Sequence, residues 1–194
     1  MSDKKAMILL ADGFEEVEAL SVVDCLRRAD ITIDLVSVRN RDWVLSSHQV
    51  KIAADRHLAD VGQGAEYQAV ITPGGLPGAR TLQADPAVQQ LLRQFDQQGK
   101  IVASICASPI ALETAGVAGR HSGTIFPGME DQVRYQTFSQ DLVVRDGNLI
   151  TSRGPATAFL FGLELVRQLA GDAAYDEVRR ALLIPQLQEQ IARY

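Results

Sequence analysis

Apolar residues follow two rhythms along this chain. Short, nearly unbroken apolar runs occupy residues 6–11, 67–72 and 101–105, and 32–38 carries Ile33, Leu35, Val36 and Val38. Runs of this length and density predict strands, most of them buried on both faces as in a parallel sheet. Between them lie longer stretches with helical spacing. Residues 15–29 open with acidic side chains and close on Arg27-Arg28, which suits a helix dipole at both ends. Asp85-Pro86 supplies a cap and a first-position proline for a helix running to about Gln98. A further helix opens after Cys106 with Pro109 in its first turn, another spans 155–170 with Phe159, Leu163 and Val166 on one stripe and Gly171 ending it, and another spans 173–183.

Two hairpins complete the pattern. One pairs 43–45 with 50–53 after the turn Asn40-Arg41-Asp42, and lies beside the sheet. The other pairs 143–145 with 149–152 across Asp146-Gly147, a favoured two-residue turn. Residues 73–78 and 116–123 read as loops, and Pro185 introduces a short polar tail carrying Leu187 and Ile191. Strands alternating with helices predict a single-domain α/β fold: doubly wound, mostly parallel and flavodoxin-like, with helices on both faces. Ligands in such sheets bind beyond the carboxyl ends of the strands. In the first helix, Val17, Leu20, Val22, Val23 and Leu26 spread too widely for one sheet to cover, which predicts a second covered face against another subunit.

The 194 residues, 46% hydrophobic, suit one domain with a sizeable core. A net charge of -5 without any basic run argues against nucleic acid and anionic membrane as partners. No stretch approaches transmembrane length, and Met1-Ser2-Asp3-Lys4-Lys5 lacks the apolar segment of a leader. Two cysteines are too few for a disulfide framework, and three well-separated histidines offer no zinc spacing. A soluble, cytoplasmic domain without metal or cofactor is the expectation.

Candidate chemistry begins at Cys106, where the 101–105 strand becomes a helix. A side chain there leaves the strand's carboxyl end beside the amides of the next turn, which favour negative charge and can lower a thiol's pKa. A buried core cysteine is the competing reading, and the turn position argues against it. Two other strand ends are unusual: Asp12-Gly13 leading to Glu18, and Pro73-Gly74-Gly75. Pro-Gly-Gly alone is most often a turn, and the lysine and hydroxyl of a phosphate loop are missing. A glutamate in a first helical turn is usually a solvated complement to the dipole. Convergence of all three on one sheet edge is what points to a site.

Ala11-Asp-Gly-Phe-Glu-Glu-Val-Glu18, Pro73-Gly-Gly75, Ile105-Cys-Ala-Ser-Pro109 and Thr151-Ser-Arg-Gly-Pro155 together resemble the successive signatures of the ThiJ/PfpI superfamily. The match is to its DJ-one branch and the bacterial-type members of that branch. It runs to about Leu183 and leaves 184–194 outside the family core of a single 1–194 domain. The resemblance implies that Cys106 is the reactive nucleophile and that Glu18, kept protonated, hydrogen-bonds the thiol or its oxidised form. It implies an oxyanion-binding pair of amides at Gly75, beside Gly74, and at Ala107, and a pocket wall at Gly154 and Pro155. Phe126 stands where many eukaryotic members carry a pocket histidine. His48 stands where members often carry an arginine that reaches the partner subunit's pocket. No role carries over to Cys25, expected to be a buried helix thiol, and His57 and His121 read as ordinary loop residues.

The implied activity is glyoxalase- or deglycase-type chemistry on a small aldehyde or glycated substrate by a homodimer without cofactor. The alternative is a redox-responsive protective protein or chaperone whose Cys106 becomes a sulfinate. A cysteine peptidase of the PfpI type would carry histidine where Ala107 stands. A glutamine amidotransferase would want a glycine-flanked cysteine and a distant His-Pro-Glu triplet. No thiazole-binding feature supports a role in thiamine biosynthesis.

Overall fold

The computed structural model describes residues 4–193; Met1–Asp3, part of the stretch read against a leader, and Tyr194, the end of the tail, lie outside the described residues. The chain begins with β1 (Lys5–Leu10), α1 (Glu16–Arg28) and β2 (Thr32–Ser37), followed by the hairpin strands β3 (Trp43–Leu45) and β4 (Lys51–Ala53). Next come β5 (Arg56–His57), α2 (Leu58–Val61), β6 (Ala69–Thr72), α3 (Leu76–Ala84), α4 (Pro86–Gln97) and β7 (Ile101–Ile105). Helix α5 (Pro109–Ala115) precedes the short strands β8 (Ser122–Gly123) and β9 (Thr137–Phe138), then β10 (Val143–Asp146) and β11 (Leu149–Ser152). Helices α6 (Ala158–Ala170), α7 (Asp172–Ala181) and α8 (Ile184–Ile191) end it.

Seven strands form one sheet in the order β10-β11-β7-β6-β1-β2-β5, parallel throughout except where β10 meets β11. Alternate residues of β1 feed two cores. Ala6, Ile8 and Leu10 face α1 and α6, where Val22, Leu26, Phe161 and Leu165 are buried. Met7 and Leu9 face α3, α4 and α5, where Leu82, Leu92, Phe95 and Ile110 are buried. That is why the strands read as continuous apolar runs. On the first face the two helices approach closely: a Cβ added at Gly162 would lie 2.8 Å from Cys25 Sγ. Cys25 is thus a buried packing thiol between helices.

The chain winds outward from β1 to β2, then returns to lay β6 on the other side of β1. The switch point therefore falls where β1, β6 and β7 end, beneath Asp12–Glu18, Gly74-Gly75 and Cys106. Among the described residues no helix is long and apolar enough to cross a membrane.

Four local expectations are corrected. Residues 76–78, read as the end of a Pro/Gly loop, open α3, because Pro77 lies in the first turn, where no amide donor is needed. The tail is helical as α8, again with a proline in the first turn, and Leu183 at φ 56° breaks it from α7. The segment 155–170 starts as a 3-10 turn over Pro155–Thr157, and α6 begins at Ala158. Phe159 does not share the buried stripe of Leu163 and Val166; it is exposed beside Val17 and Leu20 of α1.

Candidate active site

Strand β7 delivers Cys106 to the sheet's edge in the left-handed region, at φ 63°. A non-glycine residue there costs on the order of 1–3 kcal/mol and persists only where its surroundings hold it. Here the Cys106 amide donates to the Ser152 carbonyl at 2.9 Å, and the Phe126 amide donates to the Cys106 carbonyl at 2.9 Å. Next to it, the buried Ser108 hydroxyl donates to the Pro73 carbonyl, tying the elbow to the loop after β6. The thiol is partly exposed, whereas that of Cys25 is buried.

Glu18 enters from the first turn of α1 and is fully buried. Its Oε2 accepts the Gly74 amide at 2.7 Å. Its Oε1 has no hydrogen-bond partner among the described residues. The absence of a side chain at Gly74 lets the three loops meet. A Cβ there would lie 2.5 Å from both Cys106 Cβ and Glu18 Oε2, and 3.0 Å from Cys106 Sγ. Gly75 adopts φ 83°, and its missing Cβ leaves room for the Glu15 amide, which donates to the Gly74 carbonyl at 2.9 Å.

Burial pushes the Glu18 carboxyl up to about 7, against the pull of its hydrogen bonds to Cys106 and to the Gly74 amide. Burial, followed by the charge and hydrogen bonding of Glu18, pushes the Cys106 thiol up to about 12, while the amides of Gly75 and Ala107 pull it down. The sequence led us to expect amides alone to set a low thiol pKa. Desolvation and the neighbouring carboxylate outweigh them. The two groups form a coupled pair that readily carries one negative charge and resists a second.

A cleft of about 320 Å³ opens over the sulfur. Glu15 and Glu18 are its polar side chains; Leu76, Phe126, Met129 and Pro155 form apolar walls, with Gly75 and Ala107 at the floor. Gly154 is not part of the lining but backs Phe126, whose ring would be 3.4 Å from a Cβ placed there. Of the residues expected from sequence, Glu18, Gly75, Cys106, Ala107, Phe126 and Pro155 therefore surround one space, with Gly74 joining Glu18 to the elbow.

His48 does not line this cleft. It is largely exposed, with Nδ1 2.9 Å from Glu16 Oε1 and 3.7 Å from Glu15 Oε2. The ligand atoms of Glu15, Glu16 and His48 lie within 4.8 Å of one another, the one such group among the described residues, and Ser47 Oγ hydrogen-bonds within it. His121 is no free loop residue: its Nε2 sits 2.9 Å from Oδ1 of the nearly buried Asp96. Glu15, Leu76 and Met129 were not singled out in the sequence. Leu76 directly follows Gly75, a usable signal, whereas Met129 lies in an irregular segment with no periodicity to mark it.

Residues 4–168 match the model of the DJ-1/PfpI family. The chain is 38% identical over 189 residues to the Parkinson disease protein 7 homolog of Danio rerio, covering 95% of this chain and 99% of that one. It is 34% identical over 191 residues to the glutathione-independent glyoxalase DJ-1 of Schizosaccharomyces pombe, covering 93% and 99%. The crystal structure of Drosophila melanogaster DJ-1beta superposes with a TM-score of 0.90 at 39% identity, covering 94% of this chain and 98% of that one.

Proposed function

This chain belongs to the DJ-1/PfpI family, and on that premise we propose that it converts small 2-oxoaldehydes such as methylglyoxal into 2-hydroxy acids, using Cys106 and Glu18 without an external thiol. The observation that carries this reading is the buried Glu18 carboxyl, its Oε1 without a partner among the described residues, next to a thiol on a strained elbow. A carboxylate oxygen buried without a donor is costly, whereas a protonated one becomes a donor itself. The sulfur, by contrast, receives the Gly75 and Ala107 amides. The pair's single negative charge thus belongs on Sγ, with the proton on Glu18. The relative from Schizosaccharomyces pombe named a glutathione-independent glyoxalase supports the same chemistry.

The steps follow from that charge arrangement. Thiolate Sγ attacks the aldehyde carbon, forming a C–S bond while the C=O pair moves to oxygen and takes the Glu18 proton. The Glu18 carboxylate then removes the former aldehyde hydrogen as a proton, and the electrons pass to the adjacent ketone, giving an enediolate. Glu18 returns that proton to the former ketone carbon while the hydroxyl proton on the sulfur-bearing carbon passes to the neighbouring oxygen, giving a thioester. Water then displaces Sγ, releasing lactate when the substrate is methylglyoxal and restoring the thiol. One carbon is oxidised and its neighbour reduced, so no outside oxidant is needed. The Gly75 and Ala107 amides steady the developing oxyanion, a contribution of roughly 10²–10³ per donor in comparable sites. The same addition serves deglycase-type clearance of early glyoxal adducts.

A second reading uses the same groups. Cys106 is the more exposed of the two thiols, and its surrounding donors suit the oxygens of a sulfinate, so peroxide sensing or chaperone switching remains the competitor. Incubation with methylglyoxal in the absence of glutathione separates them. Lactate formation that disappears in Cys106→Ser supports the enzyme; no lactate, with stable sulfinate under mild peroxide, supports the sensor.

We also propose that the protein is a homodimer built on α1. Val17, Leu20 and Phe159 form an exposed apolar groove flanked by Glu16 and Asp24, the second face foreseen in the helix's wheel. In such a dimer His48 would lie toward the partner's pocket.

A further inference from the structure

The walls of the cleft fit a larger substrate than a three-carbon aldehyde. A molecule of methylglyoxal's size, held between Sγ, Glu18 and the amides, leaves the apolar rim unused. Leu76 is 48% exposed and Phe126 42% exposed, and Met129 completes the same wall. Large apolar side chains this open, grouped around a reactive sulfur, mark a surface that a ligand covers. The volume of about 320 Å³ also reaches the lower end of the range for ligands of drug size, about 300–1,000 Å³.

Charge narrows the class further. No lysine, arginine or histidine is among the residues lining the cleft. Arg153, which precedes Gly154 and Pro155, is turned elsewhere: Nη1 donates to Thr124 Oγ1 at 3.3 Å, Nη2 lies 3.7 Å from Glu130, and its guanidinium packs 5.9 Å from the Phe138 ring centre. His48 is paired with Glu16. The polar rim is instead the Glu15 carboxylate, only 13% exposed. A substrate carboxylate entering here would meet a like charge, while the nearest imidazole of the same chain, His48 with Nδ1 3.7 Å from Glu15 Oε2, lies outside the cleft and is held by Glu16.

We propose, resting on the glyoxalase reading above, that the cleft selects uncharged 2-oxoaldehydes whose ketone bears a bulky apolar group and discriminates against 2-oxo acids. Phe126, with Leu76 and Met129, sets that selectivity. The aldehyde carbon bonds Sγ, and the ketone substituent lies against these three side chains. One methylene in an apolar pocket changes kcat/KM by roughly 10–200-fold, so a phenyl ring in place of a methyl should exceed the lower bound.

The test compares phenylglyoxal and methylglyoxal as substrates of the full chain, reading mandelate and lactate, with glyoxylate added as a competing ligand. The expected ratio of kcat/KM for phenylglyoxal over methylglyoxal is at least about tenfold, with turnover unaffected by glyoxylate at concentrations equal to the aldehyde; strong inhibition by glyoxylate overturns the exclusion of acids. Phe126→Ala should lower that ratio, chiefly through KM for phenylglyoxal, and Phe126→Leu should lower it less. Turnover of both aldehydes with no preference, or a ratio unchanged by Phe126→Ala, overturns the inference while leaving the reaction intact. The wild-type ratio decides even if the alanine variant fails to fold. Absence of turnover with either aldehyde overturns the reaction, and this inference with it.

Discussion

Replacing Glu18 by glutamine removes one ionisable group and almost nothing else. The new amide oxygen can still accept the Gly74 amide, now 2.7 Å from Oε2, and the new NH₂ takes the place of Oε1, which has no partner among the described residues. What disappears is a carboxyl that ionises readily in the unfolded chain but is held protonated in the fold. Burial raises this group from 4.5 to about 7, so the folded chain holds its proton more tightly than the unfolded chain. The wild type therefore loses stability as pH rises through that window, and loses no more above it. A displacement of about 2.5 pH units, at about 1.4 kcal/mol per unit, amounts to roughly 3 kcal/mol. Urea unfolding of both proteins from about pH 4 to about pH 8, short of the range where unfolded thiols ionise, measures the effect. The advantage of Glu18→Gln over wild type should grow by roughly 3 kcal/mol across the series. Parallel stability curves would refute the idea that Glu18 is held protonated by its surroundings.

Other consequences follow from the same geometry. Iodoacetamide should modify Cys106 well before Cys25, since Cys25 is buried whereas Cys106 is partly exposed; peptide mapping reads the order, and prior loss of Cys25 contradicts it. Gly74→Ala inserts a methyl 2.5 Å from Cys106 Cβ, which should cost about 1–3 kcal/mol in unfolding free energy and lower aldehyde turnover at least about tenfold by parting Glu18 from the sulfur. An unchanged turnover in that variant would separate Gly74 from the site. Val17→Asp or Leu20→Asp, each on an exposed position of α1, should yield folded monomers by light scattering; a wild-type protein that is itself monomeric at micromolar concentration rules the dimer out.

The strands and the elbow were legible because burial on both faces leaves an apolar run that little else produces. The 69–72 and 101–105 segments appear in the sequence much as they do in the sheet. Helix α3 was not legible, because Pro77 and Gly78 read as breakers. Yet proline suits a first turn, and Gly78 is required by packing: a Cβ there would stand 2.9 Å from the Phe14 amide nitrogen. Phe159 satisfied the helical spacing of a buried stripe but falls on the outer face, since spacing cannot say which side of a broad apolar face meets the sheet. The site's members were visible one by one, but their electrostatics were not. The amides expected to lower the Cys106 pKa are in place, but the thiol's own burial, and then the charge of Glu18 beside it, outweigh them. Nor does any residue-type rule announce a cysteine at positive φ; only the fixed partners at Ser152 and Phe126 account for it.

The central claim is that one proton is shared between Glu18 and Cys106 and that the resulting thiolate does the chemistry. Its most direct test follows thiolate absorbance and methylglyoxal turnover against pH on the same sample, with Cys106→Ser as the blank. The account predicts that the two signals rise together with one shared midpoint, where the pair loses its first proton, and that both vanish in the blank. A thiol still protonated at pH values where turnover is already full, or turnover that survives Cys106→Ser, would contradict it.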